Sequence, residues 1–323
     1  MIFIKNKNPT EEYKKQINKN KIKFIIISIC FIYLYNIFGI NYNEKKINNL
    51  KVCLCLLCKE EKLYIKDFLE YYKKLGFDNI FLYDNNDING ENLKEVIFDY
   101  IQNNFVKYIN YKDFKSKYGG PQMAAYYDCY QRNNLFYDWI AFFDVDEYLI
   151  LIPQNLTIQN FLSNNRYNDC ESININWRIF TDNNKLDYEK KPLYERFTKA
   201  ADKTKKANQV TKTIFRGKLL NFSSRKTYNP HLIFYSKKSC DTKGQKINRS
   251  YINPPLYDYA ILNHYFTKTI KEYINKIRRG HSFYQWKINK QVLDFYFNAF
   301  FRYNKKTKEK LIIFNNAFNT KYE

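Results

Sequence analysis

The sequence predicts an α/β domain with a mainly parallel central sheet and flanking helices, preceded by one transmembrane helix. Three observations predict it. Apolar runs of strand length alternate with helix-period segments through residues 51–143, the pattern of parallel strands joined by crossovers. Acidic turns follow two of those runs, at residues 84–87 and 144–147, on the edge where such sheets bind ligands. An uncharged apolar segment stands behind a lysine-rich start.

Taken in order, residues 1–23 form a basic tail in which Lys5, Lys7, Lys14, Lys15, Lys19, Lys21 and Lys23 outweigh Glu11 and Glu12. Residues 24–40, FIIISICFIYLYNIFGI, are at the short end for a spanning helix, and through them the chain would meet the lipid bilayer. The positive-inside rule puts the tail in the cytoplasm and the domain on the other side. That is a type II membrane protein facing the Golgi or ER lumen in a eukaryote, and otherwise a domain anchored to the cell membrane. A cleaved signal peptide is the rival, disfavoured because residues 37–41 offer no small-x-small cleavage site. Residues 41–50 link the anchor to a catalytic domain at 51–323. Sequons at Asn155, Asn221 and Asn248 suit a lumenal domain, although a chain this rich in Asn produces such triplets by chance.

In the domain, residues 51–58 read as a buried strand, and 61–75 as a helix with Leu63, Ile65, Phe68, Leu69, Tyr72 and Leu75 on its apolar face, stopped by Gly76. Strands follow at 79–83, 105–110 and 139–143, separated by helices at 93–101 and 122–135. Beyond residue 152 the pattern loosens. A helix is expected near 158–162, a strand near 172–177, a polar loop at 181–191, a mixed region to about 255, a helix at 270–277 and an aromatic helical stretch at 286–318. This half should form the acceptor side of the site.

Hydrophobic residues make up 45% of the chain, with only 8 Gly and 7 Pro, so it can bury a core and is not a low-complexity protein. The formal net charge of +22 invites a nucleic-acid reading. Yet the lysines are spread along the chain beside an excess of Asn, Ile, Tyr and Phe, which is a compositional bias; no nucleic-acid partner is expected. Cys53, Cys55 and Cys58 have no answering Cys or His pair at zinc-finger spacing and read as core residues.

The chemistry concentrates in WIAFFDVDEYLIL, residues 139–151. A buried strand delivers Asp144, Asp146 and Glu147, and continued extended geometry would point Asp144 and Asp146 the same way. Two such carboxylates are hard ligands for Mn²⁺ or Mg²⁺ shared with a diphosphate, whose charge as a leaving group the cation offsets. A haloacid-dehalogenase-type phosphatase also uses D-x-D, but on its first strand and not the fourth. A non-catalytic, membrane-anchored basic binding module would leave the ordered carboxylates unexplained.

The chain resembles the family 92 glycosyltransferases and related family 2-like enzymes over nearly all of residues 51–280. The resemblance rests on ordered blocks: residues 58–87, GGPQMAAYYDCYQRN at 119–133, DWIAFFDVDEYL at 138–149, INWRIFTDNN at 175–184, PLYERFTK at 192–199 and NHYFTKTIKEYINKIRRG at 263–280. Glu60 stands where the family usually has Asn. The resemblance implies a GT-A fold and an inverting transfer of a sugar, first galactose, from a UDP-sugar to a glycan or glycoprotein acceptor. It implies donor contacts from Glu61, Asp84, Gln122, Arg132, Asp144, Lys268 and Arg279, and metal ligation by Asp144, Asp146 and His264. An inverting transfer needs a carboxylate base, for which Asp182, Glu195 and Glu147 are the candidates, Asp182 preferred. Trp177, Tyr148 and Tyr265 could stack on sugar faces, although aromatic residues here are core by default.

Overall fold

A computed structural model describes residues 50–112, 120–219, 227–234, 236, 238–280 and 288–323. The expected span at 24–40, with Cys30 and the basic tail, lies outside the described residues, as does Asn221. Among the described residues no helix is long and apolar enough to cross a membrane. Leu50–Glu323 forms one compact unit.

The elements run β1 (Val52–Cys58), α1 (Ile65–Lys74), β2 (Asn79–Asp84), α2 (Leu93–Val96), α3 (Phe98–Gln102), β3 (Val106–Asn110), α4 (Gly120–Asn133), β4 (Trp139–Phe142) and β5 (Glu147–Leu151). Then come α5 (Ile158–Leu162), β6 (Ser172–Ile179), α6 (Leu193–Arg196), β7 (Thr211–Arg216), β8 (Thr227–Asn229), β9 (Leu232–Phe234), β10 (Ser239–Cys240), β11 (Ala260–His264), α7 (Ile270–Arg278), α8 (Lys290–Phe301) and α9 (Lys308–Phe318). The main sheet has the order β3-β2-β1-β4-β7-β6-β11-β5, with β10 on β6. Its first four strands are all parallel, as expected. The rest is mixed: β7 is antiparallel to β4 and β6, and β5 is antiparallel to β11.

β1 is continuously apolar because both its faces are covered. Leu54, Leu56 and Cys58 pack with Ile65, Phe68, Leu69 and Tyr72 of α1, whereas Cys53 and Cys55 pack with Ala125, Tyr126 and Cys129 of α4. All three cysteines are thus core residues. Gly76 ends α1 with φ +97, where a Cβ would meet Gln159 Oε1 at 2.7 Å. The helix expected at 93–101 is two short ones meeting at Ile97, and the aromatic C-terminal stretch is two, each capped by a side chain, Asn289 for α8 and Thr307 for α9. Both helices bury apolar residues against α7 in a separate core cluster. A disulfide joins Cys170 to Cys240.

The order 3-2-1-4 places a switch point beside β1. The chain steps outward through β2 and β3, then returns to β4 on the other side of β1, leaving a crevice beyond the C-terminal ends of β1 and β4. Glu60 and Glu61 follow β1 on that edge, and Asp144 follows β4. Glu60 sits in the left-handed region at φ 52, with its N–H donating to Asn86 Oδ1 at 2.8 Å. Asn tolerates that conformation better than Glu, which accounts physically for the Asn the resemblance expects there. Glu60→Asn should therefore raise stability by up to about 1 kcal/mol in urea unfolding. A variant no more stable than the parent would contradict this account of the turn.

Candidate active site at the switch point

The acidic segment after β4 is a turn, not extended chain. Glu147 N–H donates to the Asp144 carbonyl at 3.0 Å, and Asp144 N–H donates to Glu147 Oε2 at 2.9 Å. The expectation that Asp144 and Asp146 point the same way is therefore corrected: the turn gives them separate partners.

Asp144 is turned toward α4 and β7. It accepts from Gln122 Nε2 at 2.6 Å, Tyr126 OH at 3.0 Å and Lys212 Nζ at 2.8 Å. Burial opposes its charge, but the Lys212 ammonium keeps its carboxyl below the usual range. β7 brings Lys212 there because it runs antiparallel to β4. Thr213 pairs with Phe142, so Lys212 extends past the end of β4.

Asp146 faces α7 and β11. Its Oδ2 lies 2.8 Å from Lys276 Nζ and 3.7 Å from Lys268 Nζ, and its Oδ1 lies 3.4 Å from His264 Nε2. Burial is again overcome, here by Lys276 and Lys268, and the carboxyl sits well below its usual range. His264 is kept toward its neutral form by burial, and its Nδ1 is buried with no hydrogen-bond partner among the described residues. Trp177 packs between His264, at 4.3 Å between ring centroids, and His231, at 4.9 Å. Glu61 completes the wall: Arg279 Nη1 lies 2.5 Å from its Oε1, while its buried Oε2 lies 4.0 Å from Lys268 Nζ and has no hydrogen-bond partner among the described residues.

The crevice thus gathers Glu61, Asp144, Asp146, Gln122, Lys268, Arg279 and His264 from the expected set. The proposed metal ligands divide, however. Asp146 and His264 lie together, whereas Asp144 is held by Lys212, and among the described residues no group of three His, Cys, Asp or Glu side chains could hold an ion. Asp84 acts at one remove: Tyr108 and Asn86 occupy its carboxylate, and Asn86 in turn supports the Glu60 turn. Arg132 is exposed near the far end of α4, paired with Asp128 at 2.8 Å, and does not reach the crevice.

The base candidates also change. Asp182 is buried against the C-terminal helices, 2.5 Å from Lys310 Nζ, with its N–H donating to Asn304 Oδ1 at 2.7 Å. It is therefore not in a loop reaching across the donor site. Glu147 is fully buried, with Trp177 Nε1 donating to its Oε1 at 2.8 Å and Lys212 Nζ 3.5 Å from Oε2. Burial pushes its carboxyl up against the pull of Lys212. It braces the turn. Glu195 is exposed on α6 and does not pair with Arg196, whose guanidinium grips Glu272 at 2.9 and 2.5 Å. Tyr148 and Tyr265 are buried core residues, which leaves Trp177 as the one of the three expected stacking residues at the crevice.

Lys212, Lys276 and His231 are site residues missed by sequence reasoning. Lys276 was within reach, since it lies on α7 three positions before Arg279, the C-cap of that helix, and so faces the same way. Lys212 was not, because its strand is defined only by pairing with β4 and β6.

The family model described as Glycosyltransferase family 92 matches residues 48–321. A glycosyltransferase family 92 protein of Oryza sativa subsp. japonica is 29% identical over 115 residues, 35% of this chain and 18% of that protein. One of Ricinus communis is 25% identical over 132 residues, 40% of this chain and 23% of that protein. The chain therefore spans less than a quarter of the curated relatives it matches. Among solved structures, S. aureus TarS aligns with TM-score 0.35 and 13% identity over 83% of this chain and 49% of that one. Its 1–349 fragment in complex with UDP aligns with TM-score 0.36 and 14% identity over 83% and 81%. At these values the likeness carries no argument about ligands.

Asp182→Ala would strand the Lys310 ammonium in the interior and should cost about 3–5 kcal/mol of stability in urea unfolding. Unchanged stability with a large loss of activity would instead return Asp182 to the role of base.

Proposed function

The chain belongs to glycosyltransferase family 92, and from that membership and the geometry of the crevice we propose that it transfers a sugar, galactose as the first choice, from a UDP-sugar to a glycan acceptor. One observation carries the reading. At the switch point of the parallel strands, Asp146, His264, Lys268, Lys276, Glu61 and Arg279 form a continuous polar wall suited to a nucleoside diphosphate. The proposal includes a GT-A fold for the domain, which its parallel half and switch-point crevice support.

A Mn²⁺ or Mg²⁺ ion fits this wall as a site completed by the donor. Asp146 Oδ1 and His264 Nε2, 3.4 Å apart, are close enough to share one ion. Such ions commonly take one or two protein ligands and fill the rest with phosphate oxygens and water, and the imidazole favours Mn²⁺. When bound, the ion offsets the charge that develops on the departing diphosphate.

The chain's own residues do the rest. Lys268 and Arg279 orient the phosphates, and Gln122 with Lys212 holds Asp144 at the crevice edge. The Asp84–Asn86 pair supports the turn that presents Glu61. Of the three carboxylates expected as base in an inverting transfer, Glu195 is the one exposed to solvent and not tied up by a buried lysine.

A type II placement with the domain in the Golgi or ER lumen is part of the proposal. The Cys170–Cys240 disulfide supports it, as do the exposed sequon residues Asn155 and Asn248.

With Mn²⁺ present, the protein should release UDP from a UDP-sugar when given acceptor. Chelation should abolish turnover, and Asp146→Ala should lower kcat by about two orders of magnitude or more. Full turnover in excess EDTA would contradict the metal dependence. Release of phosphate from simple monoesters, with no UDP release, would contradict the transferase reading.

A further inference from the structure

Resting on the donor reading above, we infer that Lys276 is an exchangeable counter-ion of Asp146, passing from that carboxylate to the donor's diphosphate. Divalent cation and nucleotide then bind as a pair, and each binds poorly alone. Nothing in the expected site included this residue. α7 places its Nζ 2.8 Å from Asp146 Oδ2, 3.2 Å from the Phe266 carbonyl and 4.6 Å from the Phe266 ring centroid. It is the closest cation to Asp146, with Lys268 a second one on the same oxygen at 3.7 Å.

A carboxylate carrying two ammonium groups already has its charge compensated. A divalent cation arriving alone at Oδ1 meets two positive charges across the carboxylate, and a diphosphate arriving alone meets the carboxylates of Asp146 and Glu61. Arriving together they exchange partners: the ammonium moves to a phosphate oxygen while Asp146 turns to the cation, and no buried charge is left unpaired.

The residues divide this work by chemistry and exposure. Lysine is a point charge with three donors on a flexible stem, suited to changing acceptors, whereas the Arg279 guanidinium is anchored through Nη1 on Glu61 and the Lys59 carbonyl. The Lys276 side chain is 21% exposed against 5% for Lys268, so it is the one with room to move. One buried polar atom of the same wall, Glu61 Oε2, lacks a hydrogen-bond partner among the described residues, as expected where pairing is completed by a ligand.

Mn²⁺ binding to the full-length protein, followed by the loss of the free-ion paramagnetic resonance signal with and without UDP, tests this. For the parent, UDP should tighten Mn²⁺ binding by about tenfold or more. Lys276→Met should bind Mn²⁺ alone several-fold more tightly, lose most of the UDP enhancement, and bind UDP several-fold more weakly at saturating Mn²⁺. Lys276→Arg, which keeps the charge, should retain the weak metal-only binding of the parent. A Lys276→Met protein with the parent's melting curve and unchanged Mn²⁺ affinity and enhancement would overturn the inference. So would Lys276→Arg binding Mn²⁺ as tightly as Lys276→Met. UDP binding by the parent with no effect of either substitution removes only the lysine's role. No UDP binding by the parent at all removes the donor reading, and this inference with it.

Discussion

Carboxylates placed at the dry mouth of a sheet must be matched by cations, and the architecture of this domain follows from that matching. Glu61, Asp144, Asp146 and Glu147 are each buried or partly buried, and an uncompensated charge at any of them would cost several kcal/mol. The chain answers them from two places: Lys212 of β7 serves Asp144 and Glu147, while Lys268, Lys276 and Arg279, on α7 or beside it, serve Asp146 and Glu61. The result is a polar chain from Gln122 through Asp144, Lys212, Glu147 and Trp177 to His264 and Asp146, and on to Glu61. The Trp177–His264 step is a ring contact and not a hydrogen bond.

That matching explains parts of the fold remote from the crevice. α7 supplies cations only if it is held at the correct height. Its first turn is secured by the Thr269–Glu272 capping box, with Arg196 and Tyr64 both bonded to Glu272. Its outer face is buried by α8 and α9, which the Asp182–Lys310 pair ties back to the loop after β6. Lys268 adopts φ 50 and Glu60 φ 52, so among the described residues two of the three other than Asn and Gly in the left-handed region border the site. Such local strain persists where surrounding contacts over-determine the backbone.

The parallel half was legible because its period and its neighbours agree. β1 to β4 are short apolar runs bounded by turn residues, and each pairs with a strand reached by a helical crossover. Asp144 and Asp146, which follow β4, were legible for the same reason, whereas Glu61 came from the family resemblance. What escaped depended on distant pairing. β7 carries a buried lysine near its start, a placement that makes sense only beside Asp144. β5 begins inside the acidic turn, and Glu147, a base candidate by its place beside the expected metal ligands, is a brace because β11 and Trp177 close over it. Asp182 sits in a polar sequence that reads as a loop over the donor, and only the arrival of Lys310 from α9 shows it to be a buried tie.

The central claim is that Asp146 and His264 meet the donor while Asp144 and Glu147 hold the turn that presents them. Crystals of the protein soaked with Mn²⁺ and UDP test it directly through the anomalous signal of the metal. The account predicts a peak within bonding distance of Asp146 and His264, with the diphosphate beyond the ends of β1 and β4 and Asp144 still on Lys212. A metal ligated by Asp144 with Lys212 displaced, or a nucleotide bound away from that edge, would contradict it.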